Sequence, residues 1–193
     1  MFEGCENIVK ADRLAIDFDE FEDSTGWKFG QANMFRNCKN LVIGPSMSGS
    51  STSAAGFINI SDFGMANMFA GCTSLLDTPP VVFSGTVGRS SFASMFQGCT
   101  SLTGASLPVK RHNNSTRPYT FSPYCFSNMF NNCFSLKNIT INAGGNSYFK
   151  EGCCKSMLMD CKNLTGITVQ GFSSWNEEEH IFDNWVKGVK TMG

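Results

Sequence analysis

Charge is scarce in this sequence. Only 16% of the residues are charged and the formal net charge is −1. A nucleic-acid-binding domain needs a basic face, so no nucleic-acid partner is expected. Long apolar runs are missing too: no stretch reaches the roughly 18 residues of a membrane span. The first ten residues, MFEGCENIVK, have neither the basic start nor the apolar stretch of a secretory signal. Histidine is reduced to His112 and His180, and the nine cysteines contain no C-x-x-C pair, so the convergent ligand sets of zinc sites are lacking. The glycine-rich segment 44–56 has no lysine for a phosphate loop. The acidic segment 17–23, with five carboxylates, lacks the glycine and spacing of a calcium loop. No serine stands in a nucleophile frame with a histidine and an acid. These absences leave no expected cofactor, metal or catalytic residue.

What the chain does contain is a phrase written six times. It reads MFEGCENI at Met1, MFRNCKNL at Met34, MFAGCTSL at Met68, MFQGCTSL at Met95, MFNNCFSL at Met129 and MLMDCKNL at Met157. Successive methionines are 33, 34, 27, 34 and 28 residues apart. The frame inside each copy is rigid: Met, then Phe or Leu, Cys four after the Met, and Leu or Ile three after the Cys. Connections between copies vary in length. Fixed units with elastic connections are the sequence signature of a solenoid.

Three residues before the frame Met stand Gln31, Met65, Phe92, Phe126 and Cys154. With Met, Phe and Cys this makes an i, i+3, i+4, i+7 stripe, which predicts a short helix in each copy. Ser122 and Pro123 offer a cap and a first-turn proline to one of them. Downstream, Leu102, Ala105 and Leu107 align with Leu136, Ile139 and Ile141 and with Leu164, Ile167 and Val169. Their alternation predicts short strands. Prolines in the second and third copies predict extended but irregular segments there. The expected core is Met34, Phe35, Cys38, Met68, Phe69, Cys72, Met95, Phe96, Cys99, Met129, Phe130, Cys133, Met157, Leu158 and Cys161. The six frame cysteines are expected as buried thiols. Cys125 and Cys153, at equivalent positions of adjacent copies, are the only pair expected to lie close enough for a disulfide, and the spacing leaves open whether they are bonded.

The repeated M-F-x-x-C-x-x-L phrase, followed by a short strand, resembles the leucine-rich repeats of BspA-like surface proteins. The resemblance covers Met1 to about Val169. It implies an α/β repeat: a curved solenoid with a parallel sheet on one face and short helical turns on the other. It also implies an extracellular or cell-surface place and a role in adhesion, with a protein or glycan as partner. The units are longer than is usual in that family, and phenylalanine (18 residues) outnumbers leucine (nine). The whole chain, 1–193, is expected to be one domain and a fragment of a longer protein, since it starts inside a repeat. The tail after 170 departs from the phrase. Ile181, Phe182, Trp185 and Val189 make it a last helix or a cap.

Two functions stay open: a recognition module, or a structural or virion component that uses the repeats as a rigid spacer. Catalysis has no supporting motif. If the chain binds a partner, the return loops are expected to do it, because Trp, Tyr and Arg dominate interface energetics and most of them lie there. The candidates are Trp27, Arg111, Arg117, Tyr119, Tyr124 and Trp175. Between the strand positions stand Ser106, Thr140 and Thr168, expected as a bare hydroxyl row on the sheet face.

Overall fold

The computed structural model describes residues 1–16, 31–47, 60–79, 81, 87–108, 120–172 and 180–189. Six strands occur among them: β1 (Ala15–Ile16), β2 (Ser46–Met47), β3 (Gly104–Pro108), β4 (Thr120–Phe121), β5 (Asn138–Phe149) and β6 (Gly166–Phe172). Every pairing is parallel. β1 pairs β2, and Met47 extends that ladder by a bridge to Val81. β5 is long enough to join two ladders. Its first residues pair β3 on one side and β6 on the other, and Tyr148 and Phe149 pair β4. Single parallel bridges, Ile60 to Val87 and Val87 to Phe121, carry this second ladder toward earlier copies. Parallel neighbours need a long crossover between them, and the spacing of the copies supplies it.

Where the apolar stripe predicts helices, the described residues contain none; each copy is a chain of turns. In the second copy, Met34, Arg36 and Cys38 donate to carbonyls three residues back, at 3.2, 3.1 and 3.0 Å. The alternate amides, Gln31, Asn33, Phe35 and Asn37, donate instead to Gly64, Ala66, Met68 and Ala70 of the third copy, at 2.9, 3.0, 2.9 and 2.8 Å. Half of the backbone donors are therefore used locally and half laterally. An α-helix would use all of them within one segment. The same alternation links the later copies, as in Phe69 to Met95, Phe96 to Met129 and Phe130 to Met157, each 2.9 Å.

The turns require a left-handed residue every four positions. Asn33 and Asn37, Asn67 and Gly71, Ser94 and Gly98, Asn128 and Asn132, and Ser156 and Asp160 all have φ between 54° and 75°. Asn, Asp and Gly tolerate that region better than other residues. A four-residue turn period also returns apolar residues at i, i+3, i+4 and i+7, which is why the stripe reads as a helix in sequence.

The stripe faces a continuous interior. Phe2, Phe35, Phe69, Phe96 and Phe130 stack in file, with centroids 5.3 to 5.5 Å apart. Their planes lie within 5° from Phe35 onward. Met68, Met95, Met129, Met157 and Leu158 are buried beside them, whereas Met34 is half-buried. Of the six frame cysteines expected to be buried, Cys5 is only half-buried, in the first copy; each of the other five is buried and donates its thiol to the carbonyl of the frame Phe in the preceding copy. Cys38 reaches Phe2, Cys72 Phe35, Cys99 Phe69, Cys133 Phe96 and Cys161 Phe130, at 2.9 to 3.2 Å. A cysteine here fills a small buried space and also supplies a donor to a carbonyl that a methyl group would leave less satisfied.

The tail belongs to this frame. Cys154, Ser156, Leu158 and Asp160 donate to Ile181, Asp183, Trp185 and Lys187 at 2.7 to 2.8 Å. Trp185 thus occupies the position of the frame Met, and Asn184 and Gly188 take the left-handed positions, with φ of 54° and 81°. Residues 180–189 form a seventh turn segment rather than a helix, and Phe182, Trp185, Val186 and Val189 pack against the core.

Candidate functional site

The left-handed position five residues before the frame Met lies at the edge where each turn chain starts. It is filled by Phe63, Ser90, Tyr124, Gly152 and His180, all with φ between 49° and 60°. Lateral hydrogen bonds hold these copies in register, so the five residues form a column, and its later half is polar.

Tyr124 stands in the middle of the column, where that half begins. Its hydroxyl donates to Glu151 Oε1 at 2.6 Å, and the Arg89 guanidinium lies 5.7 Å from its ring centroid. The accepting carboxylate of Glu151 is the main cause that raises the phenol pKa above its ordinary value. Gly152 is needed beneath the ring: a Cβ there would collide with Tyr124, and the positive φ disfavours a side chain as well. One copy further on, His180 Nδ1 lies 3.4 Å from Asp183 Oδ1. Tyr124, Glu151, Gly152, Lys155, His180 and Asp183 together line an open cleft of about 170 Å³.

Of the residues expected from sequence to bind, Tyr124 alone falls within this arrangement. Trp27, Arg111, Arg117, Tyr119 and Trp175 lie outside the described residues. The strand register aligns Ser106, Thr140 and Thr168 side by side, and all three are exposed. The cleft partners Arg89, Glu151, Lys155, His180 and Asp183 carry no motif. Their signal is positional: Arg89 and Glu151 stand six before the frame Met, and Lys155 and Asp183 two before it once Trp185 is placed in frame. The tail seen as a departure from the phrase hides half of the cleft.

The cysteines offer little chemistry. All nine are free. Burial pushes Cys72 and Cys161 up to about 12 from 9.0, and Cys99 well above it, so these thiols stay protonated at neutral pH. Cys125 and Cys153 are fully buried with sulfurs 3.1 Å apart, and burial raises both pKa values. No group of three or more His, Cys, Asp or Glu able to hold a metal ion occurs among the described residues. Nor is any helix there long and apolar enough to cross a membrane. Comparison with family models, with curated proteins and with solved structures gave no match to this chain.

Proposed function

We propose that the chain is a recognition module without catalytic activity: a leucine-rich-repeat solenoid of the BspA-like kind, displayed outside a cell, that binds a protein or glycan. One observation carries this reading. Inside, the copies repeat the same residues in file; on the edge, equivalent positions hold different residues in each copy, such as Asp62, Arg89, Pro123 and Glu151. A repeated interior with a varied polar surface is how a rigid scaffold presents distinct contacts. The edge cleft and the long return loops are the binding parts of this proposal.

The hydroxyl row of Ser106, Thr140 and Thr168 favours a second reading for the sheet face. It offers little apolar area to anchor a partner and fits a rigid spacer in a structural or virion assembly.

The test is a screen against extracellular-matrix proteins and a glycan panel, followed by two double variants. The recognition reading expects Arg111→Ala with Tyr119→Ala to weaken binding, and Thr140→Arg with Thr168→Arg to leave it intact. Loss of binding in the sheet variant alone would reverse the assignment of faces. Absence of any ligand, together with end-to-end assembly in sedimentation, would favour the spacer.

A further inference from the structure

The edge cleft, taken with the recognition reading on which this inference rests, has a chemistry specific enough to name its ligand class. Its floor is Gly152. The lining takes Tyr124 from one copy, Glu151 and Lys155 with Gly152 from the next, and His180 and Asp183 from the copy beyond that. The Tyr124 wall is fixed in place, held by the Glu151 hydrogen bond, the Arg89 guanidinium and the close approach of Gly152.

A volume of about 170 Å³ is well under the roughly 300–1,000 Å³ of sites for drug-sized ligands. It suits one small ring, not an extended segment. The charges also constrain the ligand. Glu151 and Asp183 are offset by Lys155 within the lining and by Arg89 at the tyrosine ring outside it, so these four formal charges sum to zero and the cleft favours no ion by charge count. It offers mixed hydrogen bonding within a short span instead. The two carboxylates are acceptors and the lysine ammonium has three donors, while His180 turns its Nδ1 toward Asp183. A neutral ligand that answers both kinds carries adjacent hydroxyls, each able to donate and accept. An aromatic wall beside them suits the C–H surface of a ring.

We propose that this cleft is a subsite for one neutral sugar residue of a glycan. Glu151 and Asp183 accept hydrogen bonds from neighbouring hydroxyls, Lys155 donates to a hydroxyl or ring oxygen, and Tyr124 provides the wall.

The experiment is saturation-transfer NMR on the full chain with glucose, galactose, mannose, N-acetylglucosamine and N-acetylgalactosamine, each tested singly. The methyl esters of lysine and arginine serve as cationic probes. Saturation transfer to at least one sugar is expected, with amide shifts confined to Tyr124 and its chain neighbours, residues 151–155 and residues 180–183. Affinity should fall at least about tenfold in Glu151→Gln with Asp183→Asn, the loss expected for charge-assisted hydrogen bonds. It should also fall in Lys155→Ala, and stay unchanged in Thr140→Arg. These side chains are at the surface, so an unchanged melting temperature confirms that each variant folds. No transfer to any sugar, transfer undiminished in the double variant, or transfer to the cationic esters alone overturns the proposal. If the sugars fail while the Arg111→Ala, Tyr119→Ala variant still loses a macromolecular ligand, the subsite falls and the recognition module stands.

Discussion

Truncating Phe96 strikes the centre of the phenylalanine file. The ring is 1% exposed. It lies 5.4 Å from Phe69 and 5.4 Å from Phe130, with interplanar angles of 3° and 5°. Phe96→Ala removes its burial, leaves a cavity and deletes two stacking partners at once. A buried Phe→Ala change costs about 3–5 kcal/mol. Loss of two aromatic pairs, each about 0.5–1.5 kcal/mol, places this one near the top of that range. Against a typical total of about 5–15 kcal/mol, the loss is large. Phe2→Ala is the internal control. Phe2 is half-buried and its stacking partner in the file is Phe35 alone, at 5.3 Å, so about 1–2 kcal/mol is expected. Urea denaturation followed by fluorescence gives both values. Native-state hydrogen exchange gives the location: amides bridging copies around Phe96, those of Phe69 and Phe96 themselves, should lose protection first. A Phe96→Ala loss below about 1 kcal/mol, or one equal to that of Phe2→Ala, would refute the stacked interior.

Three further outcomes are expected. Ser94 holds φ of 56° where Asn67, Asn128 and Asn184 stand in other copies, so Ser94→Asn should stabilise by about 0.5–1 kcal/mol and Asn128→Val should destabilise by at least about 1–2 kcal/mol; thermal melts giving the opposite order would contradict the left-handed turns. The buried thiols make stability depend on alkaline pH: Cys72 and Cys161 titrate near 9.0 when unfolded and about 12 when folded, so their contribution is complete below pH 9 and is lost as pH rises toward 12. Melting temperature should therefore be level up to about pH 8 and fall beyond 9, with a shallower fall in Cys72→Ala; a flat curve through pH 11 would count against buried, protonated thiols. Refolding in oxidised glutathione should form at most one intramolecular disulfide, Cys125 to Cys153, leaving seven of the nine cysteines free; two or fewer free thiols under denaturing, non-reducing conditions would contradict the buried cysteine file.

The repeat itself is legible in the sequence because Met, Phe and Cys recur in a fixed frame, and that frame marks the side chains that stack. The local conformation is not legible from the same residues. A helix and a chain of four-residue turns place apolar side chains at the same intervals, so hydrophobic spacing cannot separate them. The distinguishing residues are the small polar ones between, Asn33 and Asn37, Asn67 and Gly71, Asn128 and Asn132, which tolerate positive φ. A helix would not favour asparagine or glycine at every fourth place. The tail shows the same limit: Trp185, Val186 and Val189 share no letters with Met, Phe and Cys, yet they fill equivalent places because the backbone register, not residue identity, defines the frame. The cleft was hidden for this reason. Tyr124 can be picked out of the sequence as a single aromatic, but Glu151, Lys155, His180 and Asp183 come together only when the tail is set one copy beyond Met157.

The central claim is that alternate amides run sideways from copy to copy instead of along a helix. Through-hydrogen-bond scalar couplings between amide nitrogen and carbonyl carbon, measured on deuterated protein, test it directly. The expected correlations join Phe69 to Met95 and Phe96 to Met129, and join Cys72 to Phe69 within its own turn. A correlation from Phe69 to Met65, four residues back, would mean a helix and would contradict the account.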